Sequence, residues 1–111
     1  MASHRIDRLN TDIRRELAQQ LTELKDPRID GMISVMRVEA TEDLSYAKVL
    51  IGSINGYKAA EEACTVLKKA SGFLRNRLSK NLKIRKAPEL TFVPDDSAEY
   101  FEKINTIIEG F

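Results

Sequence analysis

The apolar residues of this chain change their spacing at Asp26-Pro27, and that change decides the class of fold. Before it, Ile6, Leu9, Ile13, Leu17, Leu21 and Leu24 recur at intervals of three and four. This is the stripe of an amphipathic helix, and Ser3 is a suitable N-cap for it. Arg5, Arg8, Arg14, Arg15 and Glu16 fill the other faces. Asp26-Pro27 should stop the helix, because the proline ring disfavours a helical residue before it. After a loop over residues 28–31, no helical stripe continues. Residues 32–39 carry the β-branched Val35 and Val38, and residues 46–52 alternate Ala47, Val49 and Ile51 with Tyr46, Lys48 and Leu50. Two strands joined through the polar turn Thr41-Glu42-Asp43 are the simplest reading.

The pattern then reverts. Ser53-Ile54-Asn55-Gly56 is a second turn cluster, and a helix follows with Ala59, Ala60, Ala63, Val66, Leu67 and Ala70 inward. Gly72 interrupts it, since glycine costs about 1 kcal/mol relative to alanine inside a helix. The junction Ala70-Ser71-Gly72 is therefore expected to be a structural kink formed by Ala70 and Gly72. A further helix turns Leu74, Leu78 and Leu82 inward. Arg75, Asn76, Lys80 and Lys83 fall on its opposite arc, with Arg77 on the flank. Ala87-Pro88 ends it. Residues 90–93 form a third strand closed by Pro94. Asp96-Ser97-Ala98-Glu99 has capping-box spacing, and a last helix presents Phe101, Ile104, Ile107, Ile108 and Phe111.

The predicted order is α-β-β-α-α-β-α, an α+β fold with helices packed on one face of a three-stranded sheet. The first two strands should pair as a hairpin. The third returns by a helical crossover, right-handed if the strands it joins are parallel. With 111 residues and no linker or repeat, residues 1–111 read as a single domain.

Charge is sorted along the chain. The totals nearly cancel, 18 Lys+Arg against 17 Asp+Glu, yet between Ala63 and Pro88 there is no carboxylate. That stretch carries Lys68, Lys69, Arg75, Arg77, Lys80, Lys83, Arg85 and Lys86. Solvated helix faces usually mix signs. A one-signed run on a neutral protein favours a polyanionic partner, RNA first among them. Ser71 and the bare backbone of Gly72, at the start of a helix, complete the predicted contact set around the junction. The C-terminal stretch is acidic, with Glu89, Asp95, Asp96, Glu99, Glu102 and Glu109 against Lys103. It should face away from the polyanion or meet a basic protein.

Other residues carry less. Arg28 is balanced between a salt bridge to Asp26 or Asp30 and an RNA contact. Tyr46 and Tyr57 are stacking candidates, though half-buried sheet or turn tyrosines are commoner. Met32 and Met36 read as core filler, and Cys64 as a core thiol. His4 has no partner at ligand spacing. Asp95 and Asp96 are explained as strand-end and cap residues. No catalytic set, metal site or cofactor motif assembles. No apolar run approaches the ~18 residues of a membrane span. A lone cysteine and the absence of an apolar leader point to the cytoplasm. Nothing demands a second copy, so a monomer is expected.

Several short pieces together resemble a known family. They are Arg15-Glu16-Leu17, Asp26-Pro27-Arg28, Asp43-Leu44 with Ala47 and Val49, Ala70-Ser71-Gly72-Phe73-Leu74-Arg75, Arg85 with Pro88, Leu90 and Phe92, and Asp96-Ser97. Their order resembles the type II K-homology (KH) domain, and more specifically the ribosome-binding factor A family. The resemblance implies a non-enzymatic assembly factor that binds the small (30S) ribosomal subunit and its 16S rRNA late in maturation. It also implies support for rRNA 5′-end processing and cold adaptation, with a ribosomal protein as a further partner. Where K-homology domains carry Gly-x-x-Gly, this chain has Ala70-Ser71-Gly72, which shifts the expectation at that junction from clamping single strands to gripping folded rRNA. Two alternatives stay open: a protein–protein adaptor whose basic face meets an acidic partner, and a small nuclease or rRNA-modifying enzyme.

Overall fold

The computed structural model describes residues 4–95. The elements are α1 (His4–Leu21), β1 (Ile33–Ala40), β2 (Tyr46–Ser53), α2 (Tyr57–Lys69), α3 (Ser71–Asn81) and β3 (Glu89–Pro94). This is the predicted order over the described residues. The Ser3 cap, the capping box at Asp96 and the final helix lie outside them.

Helix α1 stops earlier than its apolar stripe. The N–H groups of Thr22, Glu23 and Leu24 donate to carbonyls three residues back, at 3.2, 3.0 and 3.3 Å. That tightened turn ends the helix before Pro27, and Leu24 still packs against the core.

In the sheet β2 is central, antiparallel to β1 and parallel to β3. Alternation along β2 buries Ala47, Val49 and Ile51. Leu90 and Phe92 of β3 stand in register with Ala47 and Val49 and join them on the covered face. A parallel pair cannot be closed by a tight turn, so the chain crosses over through α2 and α3. Helix α1 packs on β1, and α2 lies across β2 and β3. The core includes Ile13, Leu17, Val49, Ile51, Leu67, Leu74, Leu78 and the lone Cys64.

Strand β1 departs from simple alternation. Val35 and Val38 are both buried although three residues apart, because the register slips by one residue between Val35 and Arg37. Met36 sits in this bulge on the uncovered face. It and Met32 are exposed rather than core filler. Met36 lies so close over Gly52 that a Cβ at Gly52 would stand 2.8 Å from its Cγ.

The junction of α2 and α3 is a single residue, Ala70, with φ −92° and ψ 4°. Its N–H donates to the carbonyls of Val66 and Leu67 at 3.2 and 3.1 Å, and its own carbonyl accepts from Leu74 at 3.0 Å. It therefore ends one helix and begins the next in a conformation open to any L-residue. The expectation that Gly72 makes the kink is corrected: Gly72 lies inside α3, and among the described residues a Cβ there would meet nothing within 4 Å. The glycine whose conformation is needed is Gly56, which precedes α2 at φ 108°.

These two glycines should respond oppositely to alanine. Gly72→Ala is expected to stabilise the fold by about 0.4–1 kcal/mol, and Gly56→Ala to destabilise it by more than about 1 kcal/mol. Urea unfolding of the two variants beside the parent measures both signs.

Candidate nucleic-acid interface

Burial of Leu74 and Leu78 decides where the charges of α3 can point. Both are sealed from solvent, so the residues beside them fall on opposite flanks. On one flank Arg77 pairs with Glu23, just past α1, and its guanidinium lies 5.6 Å from the Phe73 ring centroid. Asn81 donates to the Glu16 carboxylate, which also accepts from the buried Gln20 at 3.3 Å. On the other flank Arg75 is half-buried, and its Nη2 donates to the Ala87 carbonyl at 3.0 Å. Its Nε is buried without a partner among the described residues. Arg75 thus lies beside the apolar side rather than on the opposite arc, and both arginines fasten α3 to its neighbours.

Helix α3 also ends well before Pro88. Leu82 is its C-cap and Lys83 follows at φ 55°. The Ile84 N–H donates to Ser79 O at 3.1 Å and the Lys83 N–H to Lys80 O at 3.3 Å. This is a Schellman termination, in which the left-handed position is usually glycine. Lysine there carries strain of about 1–2 kcal/mol. Ser79 Oγ donates to Ile84 O at 2.9 Å and secures the turn. Lys83 is therefore a loop residue, not part of the helix.

The predicted site residues divide accordingly. Lys68 and Lys69 end α2, with Ser71 and Gly72 just across Ala70. Lys80 lies on the outer side of α3. Lys83, Arg85 and Lys86 lie on the loop into β3. These six cations are exposed, and none makes an ion pair among the described residues. Lys68 and Lys69 also suit the negative end of the α2 dipole. No side chain caps α3, whose first N–H groups lack helical acceptors.

A groove of about 740 Å³ lies between the β1–β2 hairpin and the α3–β3 loop. Arg5 from α1 joins Arg75, Lys83, Arg85 and Lys86 in lining it, a convergence of three separated stretches. Asp43, Leu44, Tyr46 and Glu89 line it as well. Asp43 Oδ1 accepts from Thr41 Oγ1 at 2.8 Å and from the Ser45 N–H at 3.1 Å. These bonds, with Thr41's the larger influence, hold its carboxyl below the ordinary range. The turn leaves Leu44 at φ 60°. Tyr46 is 54% exposed, more open than the half-buried reading. Glu89 faces the cations rather than turning away from them.

Elsewhere, Arg28 is tied to Asp26 by three bonds of 2.9–3.2 Å, and its side chain is the leading cause of the lowered Asp26 pKa. Burial pushes the Cys64 thiol up to about 11, which disarms it as a nucleophile. Among the described residues no three His, Cys, Asp or Glu side chains converge to hold a metal ion, and no helix is long and apolar enough to cross a membrane. The sequence alone does not decide whether Arg5 extends the basic surface, and it does not single out Leu44 as a groove residue. Only the fold brings them to the loop.

Known proteins resemble the chain over most of its length. The family model for Ribosome-binding factor A matches residues 5–108. The ribosome-binding factor A of Clostridium tetani is 37% identical over 110 residues, covering 98% of this chain and 91% of the relative. The solution structure of a Thermotoga maritima protein superposes with a TM-score of 0.76 at 31% identity, over 87% of this chain and 92% of that one. A homology model of the Thermus thermophilus ribosome binding factor A, fitted into a cryo-EM map of its complex with 30S, gives a TM-score of 0.68 at 27% identity, over 80% of this chain and 93% of that one.

Lys83→Gly should relieve the left-handed strain and raise stability by about 1 kcal/mol, read as a higher urea midpoint. Asp43→Ala should lower stability at neutral pH. A carboxylate with a depressed folded-state pKa stabilises above its unfolded value of about 3.9, and the effect fades as pH falls through the folded value. The gap between Asp43→Ala and parent should therefore narrow in unfolding curves below about pH 4.

Proposed function

Because this chain belongs to the ribosome-binding factor A family, we propose that it is a non-enzymatic assembly factor that binds the small ribosomal subunit through 16S rRNA. The observation that carries this reading is the set of six exposed cations with no ion pair among the described residues, spread over the α2–α3 junction, α3 and the loop after it, a stretch that no carboxylate interrupts. A structural role would have paired them, as it paired Arg77. Gly72 supports the reading too. Nothing among the described residues needs a bare backbone there, whereas an rRNA phosphate approaching the uncapped start of α3 does. The Thermus thermophilus relative's 30S complex supplies the partner by kinship.

Lys68, Lys69 and Lys80 neutralise phosphates, and Ser71 and Gly72 let the backbone come close. Arg75 and Arg77 contribute indirectly, by holding α3 in place. A-form rRNA is recognised mainly through shape and backbone contacts, which suits cations held on a rigid helix pair. The factor holds immature rRNA in one arrangement and leaves once mature contacts compete. Support of rRNA 5′-end processing, growth in the cold and contact with a ribosomal protein follow from the same family reading. The factor acts in the cytoplasm as a monomeric single domain.

Charge reversal at Lys68, Lys69 and Lys80 tests this. The triple variant should keep the parent's unfolding midpoint and lose co-sedimentation with small subunits. The slope of log affinity against log salt should fall by about 0.7–0.9 for each phosphate contact removed. Undiminished co-sedimentation would move the interface off this face.

A further inference from the structure

We propose that the groove between the hairpin and the α3–β3 loop seats one unstacked nucleotide of single-stranded RNA, with its base on Tyr46 and its phosphates along Lys83, Arg85 and Lys86. The inference rests on the RNA-binding reading and deepens it at the far end of α3 from the α2–α3 junction. Ala70 precedes α3 and Lys83 follows it, and a helix of 11 residues separates them by about 16 Å.

The groove's charge is mixed. Its cations come from the loop, α3 and Arg5. Its carboxylates are Asp43 of the hairpin turn and Glu89, which pairs with Tyr46 across the β2–β3 ladder. A uniform polyanion would be repelled by those two carboxylates, and so would an acidic peptide. A nucleotide has both kinds of surface. Its phosphates suit the loop, its π-face suits an exposed tyrosine ring, and exocyclic amines donate to carboxylates. The volume of about 740 Å³ falls within the roughly 300–1,000 Å³ of small-ligand sites.

Backbone strain points to the same place. Leu44 and Lys83 are the non-glycine residues with positive φ among those described, at 60° and 55°. Both line this groove, one from the hairpin and one from the α3–β3 loop. Strain of this kind persists where surrounding structure holds it, and it clusters at functional sites. At Lys83 the turn itself would be more stable with glycine, so the lysine side chain is what the strain retains. Arg75 adds a fixed positive charge beneath the loop through its bond to Ala87.

Fluorescence anisotropy of the full chain with a labelled single-stranded hexanucleotide, and with a duplex of mixed sequence, tests the proposal. Tyr46→Ala should weaken hexanucleotide binding by about 5- to 100-fold, while Tyr46→Phe keeps the ring and stays within about twofold. Both should leave duplex affinity and the urea midpoint unchanged. Arg85→Glu with Lys86→Glu should weaken the hexanucleotide further. Unchanged hexanucleotide affinity in Tyr46→Ala would overturn the groove assignment, and so would an equal loss for hexanucleotide and duplex. Tighter binding of an acidic peptide than of the hexanucleotide, sensitive to Tyr46→Ala, would overturn it in favour of a protein ligand. Either failure leaves the wider reading intact if the Lys68, Lys69 and Lys80 variant still loses small subunits.

Discussion

Burial of two leucines governs this molecule's surface. Leu74 and Leu78 must enter the core, and α3 has no freedom to rotate once they do. Every cation on α3 then has an assigned direction. Arg77 meets Glu23, Arg75 meets the Ala87 carbonyl, and Lys80 faces out. A run of like charge is electrostatically costly to gather unless something compensates it. Here two members are compensated from within, and the remainder are spread over the α2–α3 junction, the outer side of α3 and the loop beyond.

The pieces that carry the family resemblance prove to be largely architectural. Glu16 accepts from Gln20 and from Asn81, so it ties α1 to the end of α3. Asp26 closes the turn after Pro27 on the Arg28 N–H and guanidinium. Asp43 organises the hairpin that sets Leu44. These residues specify where elements begin, end and meet. The lysines on the surface they create are the part directed outward.

Periodicity made the framework readable. Alternation at Ala47, Val49 and Ile51, and the three-four stripe from Ile6 to Leu21, report burial directly, because a side chain's polarity is what burial selects. Backbone conformation was less legible. A lysine at φ 55° and a leucine at φ 60° leave no compositional trace, since neither prefers that region and neighbouring bonds hold it there. Gly72 misled for the converse reason: glycine permits a kink without requiring one, and Ala70 makes it. The burial of Gln20 was hidden because its partner Glu16 is on its own helix while the element covering both is distant in sequence. The bulge at Met36 likewise turned an apolar residue outward without any local sign.

Cys64 is the chain's sole thiol, sealed on the inner side of α2 and held largely in its protonated form. A thiol reagent can reach it only when α2 lifts from the sheet, so the labelling rate is a clock for that opening. Helix α2 is also the element that carries Lys68 and Lys69 to the surface. Any ligand that grips those lysines only in the closed form must slow the clock, in proportion to how tightly it binds. A buried residue with no part in recognition thus becomes an internal gauge of it.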